Sequence, residues 1–346
     1  MVGTTRWIAI LGAMAALFVG CGDGSETTEA RQGEPRAEVC PKAEKRPGKP
    51  GKMYFGIDGA PSPQNVGILM AGRKGYLSEA GVESWVRTPV GPFRPIPYVA
   101  EEIVDLSVSH LPEVVLARER GVPVVAVASL VPQPTAAMIW LEKSKIDGIA
   151  GLEGKTIAIP GVSFQKRFLE VMLAQADLTL ADVEVVYGGY DLVPALASGR
   201  VDAVFGGSGN VEGAELRARG LEPIVTGVQS FGIPAYDELV VIVRCDRLAA
   251  EPQSVRKILA AVDRGTETAV KDPAEAVEAI FDEAFEPDRS GIEKGVEATL
   301  PLLSTSGRID PERADRLVDW MLAEGMIQRP LPSSALLTND YLTAAP

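Results

Sequence analysis

Few side chains in this sequence are equipped for chemistry, and their positions narrow what it can do. His110 is the one histidine among 346 residues, so a His-rich metal site is impossible and imidazole catalysis has a single candidate. Cys21, Cys40 and Cys245 are too few for an all-cysteine tetrahedral zinc site, and neither a metal nor another cofactor is expected. No G-x-S-x-G elbow presents a serine nucleophile. The stretch GGSGN, beginning at Gly206, lacks the GK[ST] of a phosphate loop and is not GxGxxG, which disfavours a nucleotide. Asp58 and Glu212 could pair as carboxylates, although a charged helix cap is the commoner role for either. No catalytic residue is expected. These groups suit holding a small polar molecule.

The remaining candidates sit in turns that follow short β-branched runs, where open parallel sheets bind ligands beyond their strand ends. MYFGID runs into GAPSPQN, with Ser62 placed as N-cap and Pro63 as first helical residue. DLSVS runs into His110, a residue that either satisfies loop carbonyls or walls a cleft. KTIAIP runs into GVSFQ, with Ser163 as N-cap and Gln165 in the first turn. VDAVF runs into GGSGNVEG, where Gly206 and Gly207 make a turn but Asn210 and Glu212 are not needed for one. None of these four turns holds an Arg, which argues against an anionic ligand, although Arg87, Arg94 and Arg167 lie near in sequence.

The elements that position these turns alternate strand and helix. Strands are expected over 53–58, 82–86, 105–109 and 122–131, with helices over 61–77 and 112–120. A second series brings strands at 155–160, 183–189, 201–207 and 222–227, then the strongly β-like run ELVVIVR at 238–244. Beyond it the chain reads as helical, and those helices cannot build a sheet domain alone. The simplest packing returns them to the first series. The expected fold is therefore α/β with two interleaved lobes, 52–140 plus 240–346 and 141–239, crossed near Trp140 to Leu141 and near Tyr236 to Val240. Two consecutive domains are the alternative.

The first residues read as an address. Arg6 precedes an uncharged apolar run over 7–20 that is shorter than the ~20 residues of a spanning helix but suits a secretory signal. LFVGC resembles a bacterial lipobox, so 1–21 is expected to be a signal peptide with Cys21 lipidated; an ordinary signal peptide is the alternative, and either implies export. Residues 22–51, rich in Gly, Pro, Glu and Lys, read as a flexible tether. Export permits Cys40 and Cys245 to pair, although sequence does not place their Cα atoms. Lys+Arg 34 against Asp+Glu 47 leaves a net charge of −13, which counts against nucleic acid as a partner.

Several strings resemble a known family. DGAPSPQNVGILMAGRKGYLSEAGVE, ARERGVPVVAVASLV, LEGKTIAIPG, LVPALASGRVDAVFGG and GNVEGAELRARG match, in order, blocks of the alkanesulfonate and thiamine-pyrimidine-precursor solute-binding proteins. The closing WMLAEGMIQRPLPSSALLTNDYL looks most like the pyrimidine-precursor binders. The resemblance implies a type-2 periplasmic-binding fold, two α/β lobes joined by a double-crossover hinge. It further implies a monomer, lipid-anchored outside the cell membrane or in the periplasm, which delivers a small heteroaromatic ligand to the permease and ATPase of an ABC importer.

Carried over by position, Asn65 falls in the loop after the first strand, His110 takes a place often held by Tyr, and Gln165 one often held by Glu. Asn210 and Glu212 match an N-x-E-G motif, and Tyr236 matches a Tyr at the second crossing. Gly59 and Gly209 stand where these binders commonly carry Trp. Such a stacking face is worth about 0.5–1.5 kcal/mol beyond burial, so its loss implies a wider slot and makes riboflavin a candidate beside a pyrimidine precursor. His110, Tyr190 and Tyr236 are available as replacement faces. Two other roles stay open: a relative of the cytoplasmic enzymes that make the pyrimidine, and a ligand sensor without transport.

Overall fold

A computed structural model describes residues 40, 53–57, 61–86, 94–189, 191–284 and 287–342, the side chains of 83–86 left aside. The strands in chain order are β1 (Met53–Gly56), β2 (Val82–Val86), β3 (Leu106–Ser109), β4 (Val124–Val131) and β5 (Ala136–Leu141). There follow β6 (Thr156–Ile159), β7 (Glu184–Tyr187), β8 (Ala203–Ser208), β9 (Pro223–Gly227) and β10 (Leu239–Arg244). They form two five-stranded sheets, ordered β2-β1-β3-β10-β4 and β7-β6-β8-β5-β9. In each, one strand runs against the parallel set: β10 lies antiparallel between β3 and β4, and β5 antiparallel between β8 and β9.

The chain therefore leaves the first sheet once and re-enters it at β10, as an interleaved fold requires. The first crossing differs from the expected place. Ala136 to Leu141 pair with β8 and β9, so the chain changes sheets within 132–135 and not at 140/141. Two prolines, Pro132 and Pro134, interrupt the apolar run there and deny it ladder donors. The second crossing falls between Gly227 and Leu239, which includes the expected Tyr236.

Helices cover the sheets. The first half holds α1 (Val66–Arg73), α2 (Tyr76–Glu79), α3 (Pro95–Ala100) and α4 (Leu111–Glu119); the second holds α5 (Gln165–Ala174), α6 (Leu192–Ala197) and α7 (Glu212–Ala218). After β10 come α8 (Cys245–Ala250), α9 (Pro252–Lys271), α10 (Pro273–Phe281), α11 (Arg289–Thr299) and α12 (Pro311–Ala323). The single helix expected over 61–77 is split: Pro63–Asn65 forms a 3-10 turn before α1, and Gly75, at φ 77°, breaks α1 from α2.

Burial follows pattern. Helix α9 places Val255, Ile258, Leu259, Val262 and Ala269 on one face, packed with Phe55, Ile68, Met70 and Val241. A second core is shared by both sheets, bringing Leu111, Val115, Ile242, Leu317 and Met321 together with Met138, Phe164, Phe168, Met172 and Phe205. The open edge of β4 is covered by the C-terminal segment, where Ala126 exchanges hydrogen bonds with Leu336 and Thr338. Cys40 and Cys245 are joined by a disulfide with Cα atoms 5.3 Å apart, fastening residue 40 to the start of α8.

Candidate functional site

The two crossings meet at one carboxylate. Glu238 Oε2 accepts the backbone N–H of Thr135 at 2.7 Å and of Ala136 at 3.0 Å, and the Tyr236 hydroxyl at 3.3 Å. Its Oε1 lies 3.0 Å from Nδ1 of His110, at the end of β3. Burial pushes this carboxyl up, but the hydrogen bond and charge of His110 and the two backbone N–H groups outweigh it, and the group stays below the usual carboxylate range. Three donors gather on Oε2 and His110 takes Oε1, so Glu238 works as a clasp holding both crossings and His110 in place. The preceding residue of the crossing is also anchored. Asp237 accepts from Ser129 of β4 at 2.6 Å and from Arg313 of α12 at 3.1 Å through both Nε and Nη2.

Beside the clasp lies a cluster of neutral polar groups drawn from both sheets. Gln64 Nε2 donates to Thr135 Oγ1 at 2.8 Å, to Ser208 Oγ at 2.9 Å and to Asn210 Oδ1 at 3.4 Å. The hydroxyls of Thr135 and Ser208 are 3.1 Å apart, and Asn210 Nδ2 donates to the buried Thr299 Oγ1 at 2.7 Å. Glu212, the first residue of α7, reaches back so that its Oε2 accepts the Ser208 N–H at 2.6 Å. Burial pushes the Glu212 carboxyl up to about 7 against the pull of the Ser208 N–H, with the charges of Glu215 and Glu238 adding to the rise.

The structure brings several of the expected site residues here and assigns others different work. His110, Asn210 and Glu212 belong to this junction. Gln165 is buried and ties the turn after β6 to strand β8, donating to the Gly206 carbonyl at 3.3 Å and accepting the Val162 N–H at 3.3 Å. Asn65 accepts the Ser62 N–H at 3.0 Å and closes the turn that carries Gln64. Tyr236 is fully buried, with Phe164 and Phe168 set edge-to-face at 6.4 and 5.9 Å, so it supports the junction from the core and is not an open stacking wall. Asp58, Tyr190 and Cys21 lie outside the described residues, as does Gly59.

Two further expectations are corrected. Ser163 does not cap α5; its hydroxyl donates across to Glu113 of α4 at 3.0 Å, and Phe164 takes the cap position. Gly209 does not widen a slot, because a Cβ there would lie 2.9 Å from Val225 Cγ1; the glycine lets its loop lie against β9. Arg167, one of the arginines near the turns in sequence, is engaged by Glu170 and by the Glu324 carbonyl.

Gln64, Thr135, Ser208 and Glu238 were not singled out from sequence. The available signals were a threonine directly after a Pro-Gln-Pro step and an acidic residue at the head of an otherwise apolar strand.

Comparison with known proteins adds what geometry alone does not supply. Residues 62–276 match the family described as NMT1/THI5 like. The chain belongs to this family. Among its relatives, a Haemophilus influenzae protein named for thiamine biosynthesis is 30% identical over 284 residues, 81% of this chain and 89% of its own. The formylaminopyrimidine-binding protein of Halalkalibacterium halodurans is 28% identical over 283 residues, 80% and 86% of the two chains. The solved alkanesulfonate-binding protein SsuA of Xanthomonas axonopodis pv. citri, bound to MOPS, superposes with a TM-score of 0.66 at 17% identity, covering 84% of this chain and 99% of its own. This NMT1/THI5-like chain thus has the periplasmic-binding-protein fold.

Proposed function

We propose that the chain is the extracytoplasmic solute-binding component of an ABC importer for an aminopyrimidine of the thiamine-precursor type, which it binds and releases unchanged. The observation that carries this reading is the acceptor-rich junction where the crossings meet. Thr135, Ser208 and Asn210 offer oxygens, Glu238 adds an ionised carboxylate, and no Arg or Lys is among the described residues hydrogen-bonded in this cluster. Such a site favours a neutral heterocycle rich in N–H donors and disfavours a sulfonate, whose charge it would leave uncompensated. The formylaminopyrimidine-binding relative supports the same ligand class. Cys21 is proposed as the lipid anchor, and the monomer as the working unit.

Equilibrium dialysis with 4-amino-5-hydroxymethyl-2-methylpyrimidine, followed by mass spectrometry of the recovered compound, tests binding and chemistry together. The expected result is saturable one-to-one binding with the pyrimidine recovered intact. Conversion to another product would make the chain an enzyme and remove the reading.

A further inference from the structure

Gln64 donates one NH2 group to three oxygens from two separate segments, the first crossing and the end of β8, and this convergence says what the junction is shaped to receive. Two hydrogens cannot satisfy three acceptors at once, so the cluster of Thr135 Oγ1, Ser208 Oγ and Asn210 Oδ1 holds more acceptor capacity than its present donor uses. Each residue that carries an acceptor is also held by a second bond. The Thr135 N–H is held by Glu238 at 2.7 Å, the Ser208 N–H by Glu212 at 2.6 Å, and the Asn210 amide by Thr299 at 2.7 Å, which turns Oδ1 towards Gln64. Acceptors fixed in this way lose little freedom when a donor arrives.

We propose that Thr135, Ser208 and Asn210 form a receptor for the exocyclic amino group of the ligand, and that the Gln64 carboxamide is an internal stand-in which the ligand displaces. A primary carboxamide places an NH2 donor beside an acceptor in one plane. An aminopyrimidine presents the same edge, an exocyclic NH2 beside a ring nitrogen. The stand-in comes from the 3-10 turn after β1, whereas Ser208 and Asn210 belong to the strand-end loop of β8. It therefore ties the two sheets together when no ligand does so, and it competes with the ligand at high effective concentration. The receptor rests on the aminopyrimidine reading and sharpens it by naming the group recognised and the residue that opposes it.

Isothermal titration of the full chain with the hydroxymethyl aminopyrimidine and with its 4-oxo counterpart tests the assignment on wild type, Gln64→Ala and Ser208→Ala. Wild type is expected to prefer the amino compound. Gln64→Ala should bind it about fivefold to tenfold more tightly, the worth of one or two neutral hydrogen bonds no longer surrendered. Ser208→Ala should weaken it about fivefold and shrink the preference over the oxo compound. Gln64→Met, close in length but without an NH2 group, should tighten binding as Gln64→Ala does and serves if the alanine variant does not fold. Unchanged or weaker binding by the folded Gln64 variant overturns the stand-in while leaving the pyrimidine reading intact, and so does a wild type indifferent to the amino group. A wild type that binds neither pyrimidine overturns both.

Discussion

Glu212 and Glu238 occupy one junction yet answer pH in opposite senses. Glu238 is held below its ordinary range by His110 and backbone donors despite its burial, so its contribution to stability is present above the unfolded carboxylate value and is lost as pH falls through its folded value. Glu212 is pushed up to about 7 by burial, so the unfolded chain releases this proton first and stability declines as pH rises from about 4.5 to about 7. Glu212→Gln keeps an acceptor for the Ser208 N–H and removes that cost. The variant should gain little at pH 4 and up to ~3 kcal/mol at pH 8, read from urea midpoints of both proteins. An equal gain at both pH values would contradict the assignment. Glu212 was legible in the sequence because N-x-E-G is more than a turn requires. Glu238 was not, because its importance comes from Thr135 and His110, each more than a hundred residues away. Spacing along the chain carries no trace of such a meeting.

At the scale of elements, α1 and α9 approach backbone to backbone. A Cβ on Gly265 would collide with the Gly67 carbonyl and come within 2.7 Å of the Ala71 nitrogen, atoms that cannot rotate away. Gly265→Ala should therefore lower stability by about 1–3 kcal/mol, seen as a reduced urea midpoint. Gly227→Ala, with no atom within 4 Å of the added carbon and φ −65°, should stay within ~0.5 kcal/mol of wild type. Equal losses in the two variants would show that close helix approach is not what Gly265 provides. Periodicity made most of these elements readable, since α9 and the β-branched runs carry their own pattern. Strand β5 escaped because its partners β8 and β9 lie downstream and only they decide which sheet claims an apolar run. The cover of the β4 edge by residues 336–338 is equally non-local.

Over the whole molecule, the chain passes twice between sheets, and both passages end on the same carboxylate. The site is thereby built from the connections themselves, and Gln64, Ser208 and Asn210 would separate if the sheets moved apart. A shared core of Phe164, Phe168, Leu317 and Tyr236 supports this junction from behind, with Trp320 set edge-on to Phe168 at 5.2 Å. The resemblance read from sequence strings agrees with the family and the fold. The wide slot it suggested loses one of its two supports, because Val225 already fills the direction in which a side chain at 209 would point. The most direct test is a competition titration of the wild-type chain with the aminopyrimidine, riboflavin and an alkanesulfonate under one set of conditions. One site is expected, with an affinity for the aminopyrimidine at least about tenfold above either competitor, a margin of ~1.4 kcal/mol. Tighter binding of riboflavin or of the sulfonate would contradict it.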